Sequence, residues 1–450
     1  MTYRELLSGN PDFRRLWTGQ VVSEVGDWLN NIAVLALVIQ FAGAGRVGLA
    51  VAAYAIARHL PLFLFGPVAG VVVDRADRRR VLIAADLARA VLALGFLLAN
   101  RTSSLAAIYL VGASLFAVSA FFNAAKRAAI PNLVAGTEEL LAANSLSAST
   151  TAATIAVGSA LGGLIATALG RDTVFVLNAL TFLASAEMVR RIVRPLGGER
   201  ARAGGVKDVR EDTRAPAGPD PAGVPVRRSP LAGYFTDFRE GLRYVGRDRV
   251  LSAVFVVAAG WGLGNGAARA LYSIFGASLG EQAAAGWGAS VRQLAERPTD
   301  FGISVLFVAM GLGGVLGAPL ARRFNSGAAE GLGARMGRSL TLDGCGLLVF
   351  SLTPSLFGAA AVLVAREMNF AIWWTAQQTL LMRRTEDAFA GRVFASYETL
   401  TTLTMVGSML VSGAAADRVG IRAVAAGAAC VVIISGLAWF ALRRRGGGTG

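Results

Sequence analysis

Charged side chains are scarce in this sequence, so those that interrupt its long apolar runs are the first candidates for chemistry. Only 16% of the 450 residues are charged, against 54% hydrophobic. Inside apolar runs stand Glu24, Asp27, Arg58, Asp86, Arg89, Arg366 and Glu367. A charge near a bilayer centre costs roughly 2.5–3.5 kcal/mol on insertion scales, so each such group needs a partner or a task. At about 1.5 Å per helical residue, Asp27 falls about 20 Å along the first run, and Arg58 about 24 Å along the second counted from Asp74. Opposite charges thus reach similar depth on adjacent helices. Glu24 lies one turn from Asp27 on the same face. This arrangement permits reversible proton uptake at Asp27 or Glu24, with Arg58 tuning it; the alternative is a permanent structural ion pair. Asp86 and Arg89, spaced i,i+3, read as a local pair. Arg269 and Glu398 fall nearer run ends, where snorkelling accounts for a charge. Trp373, Trp374, Gln377 and Gln378, in the run that holds Arg366 and Glu367, offer an aromatic and amide lining for an amphipathic ligand. His59 reads as a packing histidine rather than a proton relay.

The elements that must position these residues follow from the runs themselves. Mean hydropathy is +0.54. Taking about 20 residues to cross the hydrocarbon core, spans fall near 14–42, 47–73, 80–100, 104–127, 139–169, 172–194, 250–278, 300–321, 337–355, 357–382, 391–416 and 421–442. These are six on each side of a polar insert. The first run is long and has no small-residue cleavage site, so it reads as a retained helix. Lys and Arg gather in alternate gaps, at Arg75–Arg80, Lys126–Arg127, Arg322–Arg338 and Arg383–Arg392, and the opposite gaps hold few. The bias puts both termini in the cytoplasm and explains the net charge of +15 without nucleic acid. Residues 195–230 read as a disordered cytoplasmic linker. Over 231–249, Leu231, Tyr234, Phe235, Phe238, Leu242 and Val245 recur at helical spacing, an amphipathic connector at the membrane surface. Residues 1–194 and 250–450 are then the two helical halves. Cys345 and Cys430 lie singly in apolar runs and His59 is the only histidine, which leaves no metal or disulfide framework. No GxxxxGK[ST] loop is present, and no nucleophile–base arrangement suggests an enzyme.

The halves echo one another: Gly70–Arg75 closes the second span and Gly317–Arg322 the eighth, each a Gly-x-x-x-x-Arg frame. Repeated halves are a common transporter plan. The strongest motif is Gly66-Pro-Val-Ala-Gly70-Val-Val-Val-Asp74-Arg75-Ala-Asp77-Arg78-Arg79-Arg80. It resembles the loop between helices two and three of the major facilitator superfamily, Gly-x-x-x-Asp-Arg-x-Gly-Arg-Arg, with Asp77 in place of the second Gly. Phe13-Arg-Arg-Leu-Trp17 with Ser23–Trp28, Ala129–Val134 with Leu141–Ser145, and Phe235–Tyr244 resemble the branch that exports enterobactin-like siderophores and macrolides.

The resemblance implies an all-α membrane protein, twelve transmembrane helices in two six-helix bundles about a central cavity. It implies that Gly70, Asp74, Arg75, Arg78 and Arg79 form a cytoplasmic gate that stabilises the outward-open state, which Asp86 and Arg89 would support. Gly158-Ser-Ala-Leu-Gly162-Gly163 allows close helix approach, and Ser159 stands where superfamily antiporters often carry proline. The expected function is proton-coupled efflux of a drug, macrolide or siderophore through a cavity lined by Glu24, Asp27, Arg58, Arg366, Glu367, Trp374 and Gln377. The proton gradient would be the energy source and no cofactor is implied. The partners are lipid, substrate and protons, and the protein is expected to be a monomer of the inner membrane. Uptake or facilitated diffusion of a metabolite is the alternative, and a non-transporting receptor or scaffold a third reading.

Overall fold

The computed structural model describes residues 2–43, 45–196, 230–286, 297–325 and 331–444, and those residues form fourteen helices and no strand. In chain order these are α1 (Tyr3–Gly9), α2 (Pro11–Phe41), α3 (Val47–Arg75), α4 (Arg78–Arg101), α5 (Leu105–Leu133), α6 (Gly136–Leu169) and α7 (Arg171–Arg190), then α8 (Pro230–Val245), α9 (Arg249–Ala285), α10 (Pro298–Asn325), α11 (Leu332–Leu352), α12 (Leu356–Arg384), α13 (Asp387–Val419) and α14 (Ile421–Arg444). Nearly all of the 195–230 insert lies outside the described residues, as do the side chains of Leu231, Tyr234 and Phe235.

Local chemistry starts several of these helices where the apolar runs begin. Asn10 accepts from the Phe13 amide with Pro11 at the first position of α2, and Ser104, Asp248 and Ser355 cap α5, α9 and α12. Asp77 caps α4 by accepting from the Arg79 amide at 2.9 Å, with φ −66°. The glycine that the superfamily pattern carries there is therefore unnecessary here: the backbone is in a region open to any residue, and the carboxylate gives the next helix its cap.

Among the described residues, eleven helices are long and apolar enough to span a bilayer. The twelfth is α11, in which every 18-residue stretch holds Arg335, Arg338 and Asp343. The Ala129–Val134 stretch, expected to follow the fourth span, is for the most part the last turns of α5, with Pro131 inside the helix. α9 runs to Ala285, past the expected end near 278.

α2–α7 form one bundle and α9–α14 the other, with α3 packed on α13 and α6 on α10 across the divide. The halves repeat down to their tightest turns: Gly170 joins α6 to α7 with φ +87° and ψ 159°, and Gly420 joins α13 to α14 with φ +87° and ψ 151°. Inside the first bundle, Gly158 and Gly162 bring α6 against α2, where an added Cβ would sit 2.7 Å from the Val25 and Leu29 carbonyl oxygens respectively. The connector α8 lies along the first turns of α13 and touches α3. Glu240 pairs with Arg392 at 3.3 Å, and Tyr244 stacks on Phe389 at 4.6 Å.

Candidate functional site

Between the bundles lie two adjoining cavities that share Arg269 and Met310. The inner one, about 200 Å³, is lined by Trp28 and Asn31 of α2, Tyr54, Arg58 and His59 of α3, Arg269, Tyr272 and Ser273 of α9, and Phe307 and Met310 of α10. The outer one, about 640 Å³, is lined by Ile155 of α6, Arg322 of α10, and Glu367, Phe370 and Trp374 of α12. Arg269 is therefore central. The sequence reading put it near a helix end because α9 extends further than its apolar run suggests.

Among the described residues, each bundle holds one buried guanidinium shared by two carboxylates. In the first, Arg89 is ion-paired with Asp86 and lies 3.9 Å from Asp27, with its plane between Phe122 (3.9 Å) and Phe182 (4.4 Å). This corrects two expectations. Asp86 and Arg89 do not support the 74–80 loop; they are core residues joined to Asp27. Arg58 is not Asp27's ion-pair partner: it donates to Asn31 Oδ1, one turn beyond, and stacks over Trp28 (4.9 Å) and Phe116 (5.0 Å). Glu24 is held separately, by Lys126 Nζ at 3.3 Å, Gln20 at 2.8 Å, Thr154 at 3.2 Å and Thr151 at 3.4 Å. His59 Nδ1 donates to the Ala55 carbonyl at 2.8 Å.

In the second bundle, Arg366 pairs with Asp343 at 3.0 Å and lies 4.0 Å from Glu367. It also donates to Asn265 Oδ1 and the Tyr272 hydroxyl. Sequence reasoning missed Asp343; its signal was a lone carboxylate within the ninth span. Arg366 is buried and lines neither cavity, while Glu367 lines the outer one. Trp374 faces that cavity and Trp373 is buried against Trp261 at 4.9 Å. Gln377 is fully buried and donates to Tyr397, so it is core and not lining.

The bundles close on each other at the end where α3 begins. The Asp417 carboxylate of α13 accepts from the Gly48 and Leu49 amides of α3 at 2.7 and 2.9 Å, capping a helix whose own N-cap, Arg46, provides no side-chain bond. Arg171, at the start of α7, binds Asp300 of α10 through two nitrogens at 2.8–3.2 Å, and Arg297 donates to the Ala166 carbonyl at 3.0 Å. Toward the other end the outer cavity separates the bundles.

The Major Facilitator Superfamily model matches residues 16–407. This chain belongs to that superfamily. Among its curated relatives, "Uncharacterized MFS-type transporter YfiS" of Bacillus subtilis (strain 168) is 25% identical over 94% of this chain and 91% of its own length. "Putative bacilysin exporter BacE" of Bacillus subtilis is 25% identical over 89% and 88%. "Macrolide efflux protein A" of Streptococcus pyogenes is 33% identical over 17% of this chain and 18% of its own. Two solved structures share the fold. A bacterial homologue of the lysosomal transporter Spinster, inward-facing and unoccupied, is 13% identical with TM-score 0.64, covering 96% of each chain. A bacterial homologue of the iron transporter ferroportin, inward-facing, is 15% identical with TM-score 0.65, covering 95% and 98%.

As a major facilitator transporter the chain carries the superfamily's loop motif across the end of α3 and the start of α4. Asp74 and Arg75 are exposed at the end of α3 and Gly70 has open space around it. Arg78 donates to the Ala128 and Leu196 carbonyls, and Arg79 to those of Val193 and Arg194, all within its own bundle.

Proposed function

We propose that this transporter is a proton-coupled exporter of the bacterial inner membrane. It works as a monomer with cytoplasmic termini and moves an amphipathic small molecule outward by alternating access. The lysine- and arginine-rich loops at the open end support a cytoplasmic orientation, and relatives named for bacilysin export and macrolide efflux support the direction. Its cargo is a drug, a macrolide or a siderophore.

The observation that carries the coupling is the sharing of Arg89 by Asp27 and Asp86. Two buried carboxylates that share one close guanidinium in a low-dielectric interior form a site where a proton can be taken up and given back. Asp27 is the partner with the longer contact and the more exposed side chain, 24% against 0% for Asp86, so it exchanges that proton. Glu24 already has Lys126 and three neutral donors. Proton release at the open end and uptake at the other would then bias which end is closed, with Asp417 and Asp300 holding the outer gate while the cavity faces the cytoplasm.

Proteoliposomes loaded with pyranine and given erythromycin, enterobactin or naphthylacetate test this. At least one probe is expected to drive proton movement in the wild type and none in Asp27→Asn. Probe transport that ignores the proton gradient and survives Asp27→Asn would contradict the coupling.

A further inference from the structure

The inner cavity has a lining whose hydrogen-bonding capacity is unbalanced. Arg58 and Arg269 enter it from opposite bundles, and no carboxylate lines it among the described residues. Arg58 has aromatic faces and an amide oxygen as its partners. An arginine can only donate, so the atom of Asn31 facing Arg58 is the oxygen and its NH2 is the free end. That Nδ2 has no hydrogen-bond partner among the described residues, and neither has the Ser273 hydroxyl; both residues line the cavity and are 3% and 1% exposed. Two arginines line a space of about 200 Å³, and two orphaned polar groups are buried on residues of its wall. Buried donors without acceptors are costly, so such a space is built for an occupant that accepts.

We propose that the inner cavity is an anion subsite and that the substrate is an amphipathic acid. Its carboxylate-like group sits among Arg58, Arg269, Asn31 and Ser273, and its apolar body lies in the outer cavity against Met310, Phe370 and Trp374. Size supports the polarity of this arrangement: Arg269 and Met310 border both spaces, and the outer one, about 640 Å³ against about 200 Å³, has the room for an apolar body beside Phe370 and Trp374. Glu367 and Arg322 give the outer lining charges of both signs, whereas the charged side chains in the described lining of the inner cavity are Arg58 and Arg269 alone. Because Arg58 belongs to the first bundle and Arg269 to the second, one bound anion ties the halves together and screens their like charges. The inference rests on the efflux reading above for its cargo and names the chemical class.

Binding separates it from that reading, since it needs no flux. Purified protein in nanodiscs is titrated with three matched probes, naphthylacetate, naphthylacetamide and naphthylethylamine, with tryptophan fluorescence as the readout. The carboxylate is expected to bind at least about tenfold tighter than the amide or the amine, the usual worth of a charge-assisted hydrogen bond. Arg269→Gln and Arg58→Gln are expected to erase that preference and Arg269→Lys to keep part of it. Equal or tighter binding of the amine by the wild type overturns the assignment, and so does a carboxylate preference that survives Arg269→Gln. Loss of naphthylacetate binding when nanodisc lipid is changed from phosphatidylcholine to phosphatidylglycerol assigns the subsite to a lipid headgroup and overturns the small-molecule assignment. Tight carboxylate binding without proton-coupled flux leaves the subsite standing and removes the efflux reading instead.

Discussion

Arg366 shows how a buried charge is tolerated: Asp343, Asn265 and Tyr272 from two neighbouring helices converge on it. Removing one member of a buried pair costs about 3–5 kcal/mol because the other charge is stranded. Arg366→Gln or Asp343→Asn is therefore expected to lower the thermal midpoint of detergent-purified protein sharply, whereas Arg366→Met with Asp343→Leu recovers part of the loss. The two carboxylates of the first bundle are expected to separate in function. Asp27→Asn abolishes proton-driven flux, while Glu24→Gln, which leaves Lys126 unpaired, lowers folded yield but keeps the response to a proton gradient in the protein that folds. Asp27, Arg58 and Arg366 were legible in the sequence because apolar neighbours make a charge conspicuous. Their partners were not. Depth along two helices is one coordinate, and rotation about each axis is another. Arg58 reaches the level of Asp27, yet its face meets Asn31, and the guanidinium near Asp27 comes from α4. Gln377 failed for the same reason: one turn on from Trp373, it follows that residue's buried stripe into the core while Trp374 borders the cavity.

Helix ends set where the halves touch. The Asp417 cap on α3 joins two bundles through one carboxylate and two amides. Asp417→Asn weakens an interaction of about 1 kcal/mol, the usual worth of an N-cap, and should move the ratio of the two states about fivefold toward opening of that end. Faster alkylation of a cysteine placed at Leu49 measures it. Gly420 tests the turns: its φ of +87° with ψ 151° is a region open essentially to glycine, and its surroundings are empty. Gly420→Ala should then cost about 1–3 kcal/mol from backbone strain alone, read as a lower thermal midpoint with transport per folded molecule unchanged. Span positions were legible because apolar length is a one-dimensional property. The helix ends were less so: α9 continues through residues that are small and weakly polar, and Arg269 moved from an apparent end to the middle of the molecule. Asp417 and Asp300 stand at span ends where an acidic residue is unremarkable by type, so their role emerges only with the opposing bundle in place.

At the scale of the whole molecule, twelve spans in two repeated halves enclose the cavity, and the closed end carries the Asp417 and Arg171–Asp300 contacts. This architecture was legible from span count, the charge asymmetry of the loops and the loop motif; the state was not, because both closures are written into one sequence. Exchange between them is the claim on which the account depends. Its most direct test is a pair of spin-label distances in protein with Cys345 and Cys430 replaced by alanine, one pair at Arg75→Cys and Gly391→Cys and the other at Leu49→Cys and Val419→Cys. Moving from alkaline to acid conditions with naphthylacetate present should shorten one distance distribution while lengthening the other, and Asp27→Asn should abolish the response to pH. Two distances that never change in opposite senses, or that respond to pH unaltered in Asp27→Asn, would contradict it.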